Sequence, residues 1–173
     1  MKSPSLCIIL LVVFASCSRK SESVLYDEGN AAQTQKNFQL AVDRYQEIVD
    51  RYPKNTYAES SLFRMAVIYN NDLHDNAKAI KAYRTLWSMF PASGEAPNAL
   101  FLVGFLYNNE LHNIDSARTT YELFLQKYPA HSLAPSAKYE LETLGKDPTQ
   151  LLQSGATAKG TGQSAEPSGA SNQ

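Results

Sequence analysis

The sequence predicts an all-α protein, a solenoid of three helix–turn–helix repeats closed by one further helix. Three observations lead there. One phrase recurs at a fixed interval, the apolar residues inside each recurrence fall at helical spacing, and no segment alternates apolar and polar residues as a strand would.

The phrase is Tyr45-Gln46-Glu47-Ile48-Val49-Asp50-Arg51-Tyr52-Pro53, which returns as Tyr83 to Pro91 and again as Tyr121 to Pro129, 38 residues on each time. Ala41, Ala79 and Ala117 keep the same step, as do Ala58, Ala96 and Ala134. Asn71-Asp72-Leu73-His74 returns as Asn109-Glu110-Leu111-His112. Within the first recurrence Ala41, Tyr45, Ile48, Val49 and Tyr52 share one helix face, while Asp43, Arg44, Gln46, Glu47, Asp50 and Arg51 share the other. Pro53 stops that helix, because proline donates no hydrogen bond and disfavours the α conformation before it.

These units resemble the tetratricopeptide repeat (TPR), a 34-residue helix–turn–helix pattern. The first unit offers Leu25, Gly29 and Ala32 on its first helix, Phe38 at the turn, then Ala41, Tyr45, Ile48 and Pro53. The second offers Leu62, Met65, Ala66, Tyr69, Ala79, Tyr83, Leu86 and Pro91. The third offers Leu100, Val103, Gly104, Tyr107, Ala117, Tyr121, Phe124 and Pro129. Units two and three carry three extra residues after the proline and one more before the second helix. The resemblance implies a right-handed solenoid over residues 22–146, with repeats near 22–53, 54–91 and 92–129. Residues 131–145, with Ala134, Ala137, Lys138, Leu141 and Leu144, look like the closing helix that covers the last apolar face.

The phrase of Tyr-Pro, a few polar residues and then Ala resembles the envelope branch of the family that includes BamD and CpoB. That branch implies a non-enzymatic protein-binding module in outer-membrane protein assembly. The alternatives are a CpoB-like coordinator of division and peptidoglycan processes, or a self-associating structural adaptor. The family's groove positions carry over to Ser23, Tyr26, Asn30, Gln33 and Thr34, to Ser60, Phe63, Val67, Asn70 and Asn71, and to Asn98, Phe101, Phe105, Asn108 and Asn109. Asn30, Asn70 and Asn108 would form a ladder for the backbone of an extended peptide, with Tyr26, Phe63, Phe101 and Phe105 as pockets for its side chains. No lysine or arginine stands among these fifteen, which argues against a basic clamp on a C-terminal carboxylate.

The N-terminus reads as an address. Lys2 supplies a positive n-region, Leu6 to Phe14 an apolar run, and Ala15 and Ser16 the small residues of a cleavage site. That run is far short of the ~20 residues a membrane-spanning helix needs. Phe14-Ala15-Ser16-Cys17 resembles a bacterial lipobox. The resemblance implies removal of residues 1–16 and lipid attachment at Cys17, with residues 17–21 as the tether. Several acyl chains hold a protein stably on a membrane where one alone does not. Ser18 points by the enterobacterial sorting pattern to the outer membrane, facing the periplasm. At the other end residues 147–173 read as a disordered tail, Ser154 to Gln173 lacking any large apolar side chain.

Chemistry finds little support. The charge is near balance, 16 basic against 17 acidic residues for a formal net of -1, so no field attracts nucleic acid. Cys7 and Cys17 both lie near the N-terminus, which excludes a disulfide framework for the body. Glycine-rich phosphate loops, GxSxG and HExxH are absent. His74 and His112 recur in identical settings, and a role capping helix carbonyls suits them better than metal binding. The sequence therefore predicts no catalytic residues, no metal site, no cofactor and no small-molecule substrate. The partners it predicts are envelope proteins or extended peptide segments, and the membrane through Cys17.

Overall fold

The computed structural model describes residues 19–146, and every regular element among them is helical. The signal-like segment, Cys17 and the 147–173 tail lie outside the described residues. Three helix pairs follow in order: α1 (Glu22–Thr34) with α2 (Phe38–Arg51), α3 (Thr56–Asn71) with α4 (Asn76–Met89), and α5 (Glu95–Phe105) with α6 (Ile114–Lys127). A π-helical turn, Leu106–Glu110, continues α5, and α7 (Ala134–Thr143) closes the array. Each helix packs on the next in sequence, and α1 also touches α3.

The boundaries repeat because their local chemistry repeats. Asn37, Asp75 and Asn113 cap the second helices, their side chains accepting from the amides of Leu40, Lys78 and Ser116. Lys36, His74 and His112 precede them at the same 38-residue step, with φ of 58°, 51° and 49°. Each reverses the chain through the left-handed region, so the amide of the next residue turns back to Ala32, Tyr69 or Tyr107. The two histidines thus serve through their backbone, and their exposed rings hydrogen-bond to no carbonyl among the described residues. A third histidine does cap with its side chain. Asn55, Ser93 and His131 stand 38 apart and accept from the amides of Tyr57, Glu95 and Leu133 at 2.9, 2.9 and 3.2 Å.

The extra residues of units two and three find their places. Those after the proline lengthen the first helix, 16 residues in α3 against 13 in α1. The one expected in the loop before the second helix is instead absorbed in unit three by the π-helical turn, where Leu111 donates to Leu106.

Packing follows one rule in each unit: a small residue on the first helix receives a tyrosine from the second. A Cβ on Gly29 would stand 2.6 Å from Tyr45 Cε1, and one on Gly104 2.7 Å from Tyr121 Cε1. Only glycine admits those rings; in unit two the pair is Ala66 with Tyr83. Units one and two share a larger apolar cluster with Ala96, Ala99, Val103 and Leu106 of unit three, and the rest of unit three forms a smaller one with α7; Trp87 and Tyr107 pack against both. On α7 the positions equivalent to Leu100 and Gly104 hold Lys138 and Glu142. Charged, exposed side chains thus stand where the other first helices receive a second helix, as suits a closing helix.

Candidate functional site: the groove of the first helices

The first helices of the units lie side by side, and a cleft of about 400 Å³ opens across them. It is lined by Tyr26 and Gln33 of α1, Ser60, Phe63, Arg64 and Val67 of α3, and Glu95 of α5. The α1 wall is fixed by aromatic packing: the Tyr26 ring lies 5.7 Å from that of Tyr45 and 5.1 Å from that of Tyr57. Phe63 sets its edge against Tyr83 at 5.6 Å, and Phe101 meets Tyr121 at 5.5 Å and Phe124 at 5.8 Å. Tyr26, Phe63 and Phe101 are therefore half-buried against their own unit's second helix, while Phe105 stands exposed.

Arg64 is the residue that sequence reasoning missed. Its Nε donates to Tyr26 Oη at 2.7 Å, its Nη1 to Gln33 Oε1 at 3.5 Å, and its guanidinium carbon sits 5.4 Å from the Tyr26 ring centre. No carboxylate among the described residues pairs with it. A basic side chain thus does stand in the groove, one place beyond Phe63 on α3, and the premise that the groove is free of cations is corrected. The signal was available, because Arg64 stands four residues after Ser60 and three before Val67, and residues three and four apart share a helix face.

The predicted asparagines divide. Asn30 accepts from the Tyr45 hydroxyl at 2.9 Å, and Gln33 accepts from the same hydroxyl at 3.3 Å. By register Asn30 is equivalent to Val67 and Phe105, so the true ladder is Gln33, Asn70 and Asn108. Asn108 donates to Glu140 of α7 at 3.2 Å, while Asn70 donates only to its neighbour Asn71 at 2.7 Å. Exposed Asn109 turns back to the Phe105 carbonyl at 3.2 Å. Asn70 is the rung whose amide is tied to nothing across the groove.

Burial keeps the tyrosines neutral. It pushes the Tyr45 and Tyr83 phenols up to about 12, and it raises Tyr121 further. Among the described residues no three metal-ligating side chains converge. What the arrangement offers is shape, aromatic faces, amides, the Arg64 cation and the Glu95 carboxylate.

An array of stacked helix pairs with a cleft across its first helices is a helical-repeat binding scaffold. The tetratricopeptide repeat model matches residues 23–55, 60–93 and 98–131, and the chain belongs to that family. Among solved structures, the N-terminal domain of stress-induced protein-1 (STI-1) from C. elegans is similar, with a TM-score of 0.58 at 19% identity, over 70% of this chain and 94% of that one. The first TPR of Spaghetti (RPAP3), solved bound to the HSP90 peptide SRMEEVD, has a TM-score of 0.51 at 22% identity, over 76% of this chain and 93% of that one. At those identities the likeness speaks for the fold. No curated protein matches the chain by sequence.

Proposed function

We propose that this chain is a lipid-anchored protein-interaction module of the bacterial cell envelope, which takes an extended segment of a partner protein in the groove of its first helices. The observation that carries the reading is the cleft between α1, α3 and α5, with half-buried aromatic walls, an untethered Asn70 and an unneutralised Arg64. A similar domain, the first TPR of Spaghetti, is known bound to a peptide, that of HSP90. The envelope setting is supported by the sequence Phe14-Ala15-Ser16-Cys17 after a short apolar run. The Tyr-Pro phrase supports a BamD-like role in outer-membrane protein assembly.

Two variants test this. With Cys17→Ala the protein should lose its acyl mass and leave the membrane fraction, since the anchor is covalent lipid. With Val67→Arg, which puts a charged side chain into the cleft at a half-buried position of α3, crosslinked envelopes should yield the lipoprotein, melting as a folded protein, without its barrel-assembly partner. If Cys17→Ala stays membrane-bound the anchor is wrong. If Val67→Arg retains the partner, the groove is wrong.

A further inference from the structure

We propose that α7 is a fourth rung of this groove. The segment bound there would run from an acidic residue at Arg64, through an apolar middle at Leu102, to an aromatic residue followed by a basic one at Phe105, Tyr139 and Glu140. This rests on the groove being the partner site.

Register makes the first argument. Phe63, Phe101 and Tyr139 stand 38 residues apart, and so do Arg64, Leu102 and Glu140. The docking of α7 makes the second. Asn108 donates to Glu140 across the gap between α7 and the helix before it, at 3.2 Å. Arg64 donates to Gln33 across the gap between α3 and α1, at 3.5 Å. Gln33 and Asn108 hold the same repeat position, so α7 lies against the third first-helix as α3 lies against α1.

Exposure makes the third. Phe63 and Phe101 are covered by tyrosines of their second helices, but no helix among the described residues follows α7. Tyr139 is therefore 61% exposed, the most of any large apolar side chain described, and Phe105 is 39% exposed. Two open aromatics at one end of a groove are a surface that binding would cover. A stacked second copy is a poor cover, because the end of the array presents Lys138 and Glu142. A segment lying along the groove face covers both aromatics and avoids that end.

Charge selects the segment. Beyond Asp27 at the α1 place of the row, Arg64 and Glu140 are its charged members on α3 and α7, of opposite sign, and neither has an ionic partner among the described residues. Two helix-to-helix steps of roughly 10 Å each separate them, a span of about six extended residues.

The test measures binding of two blocked, fluorescein-labelled hexapeptides by anisotropy. One reads Asp-Ser-Leu-Ser-Phe-Arg; the other exchanges Asp and Arg. Each is also made in reverse order, to allow either chain direction. The first peptide should bind in one direction. Tyr139→Ala, which melts with the wild type because the ring is exposed, should weaken it about tenfold or more, the loss of an anchor side chain. The double variant Arg64→Glu/Glu140→Arg should prefer the exchanged peptide. If Tyr139→Ala and the double variant bind as wild type while Phe63→Ala does not, the groove stands and the fourth rung falls. No binding of any peptide to the wild type would overturn the proposed segment.

Discussion

The two ends of the array are built on one repeat, yet they are finished differently. At the first unit the outer face of α1 and α2 carries a network of ion pairs: Lys20 with Glu28, Arg44 with Glu28 and Glu47, and Arg51 with Glu47. The unit's buried tyrosine is satisfied, its hydroxyl shared by Asn30 and Gln33. At the third unit the equivalent Tyr121 hydroxyl is buried without a hydrogen-bond partner among the described residues, and Phe105 and Tyr139 stand open. The latches between units follow the same gradient. Asn55 donates to Glu22, Ser93 bonds Glu59 in the equivalent place, and the third would-be acceptor is Pro97. One end is optimised to be inert and the other keeps loose ends. A repeat array can do this because each unit answers mainly to its neighbours.

The largest test of that contrast is in the cores. Phe124 is fully buried in the smaller cluster, so Phe124→Ala should cost about 3–5 kcal/mol. By hydrogen exchange, α6 and α7 should then open while α2 to α4 stay protected. Uniform loss of protection would mean that the two clusters act as one. Next come the glycines under the tyrosine rings. Gly29→Val and Gly104→Val should each cost about 1–3 kcal/mol through overpacking, read as lower melting temperatures. A neutral result at either would show that the ring moves aside.

A sharper comparison is a pair of substitutions of opposite sign. Tyr45→Phe removes a hydroxyl with two partners and should destabilise by about 1 kcal/mol. Tyr121→Phe removes an orphaned one and should be neutral or stabilising by up to about 1 kcal/mol. Equal effects in urea titrations would erase the difference between the ends.

The mildest lever is pH. With the Tyr45 and Tyr83 phenols near 12 in the fold against about 10 in the unfolded chain, the unfolded state releases protons first as pH rises. Stability should be fully present below pH 10 and decline between about 10 and 12. Thermal melts at pH 9 and pH 11 check this, and Tyr83→Phe should make the decline shallower.

Much of this was legible in the sequence because a solenoid repeats its physics. The step from Tyr45 to Tyr83 to Tyr121 fixed the helix pairs, and the small residues facing them fixed the packing. What was not legible depended on groups that break the repeat. Arg64 has no counterpart among the first helices, since the equivalent residues are Asp27 and Leu102, so a pattern of family positions passes over it. Asn30 looked like a rung because it is an asparagine, yet it stands one helical turn before Gln33, the residue that holds the rung position in unit one. The backbone role of His74 and His112 became visible once Lys36 was seen in the same left-handed place.

The central claim is that the groove of the first helices is the binding face. It is tested most directly by placing a photo-crosslinking residue at Val67, in the cleft, and in a second protein at Arg84, exposed on α4. Irradiation in the living cell should give a discrete partner adduct from position 67 and none from position 84. An adduct from position 84 alone, or the same adduct from both, would contradict the account.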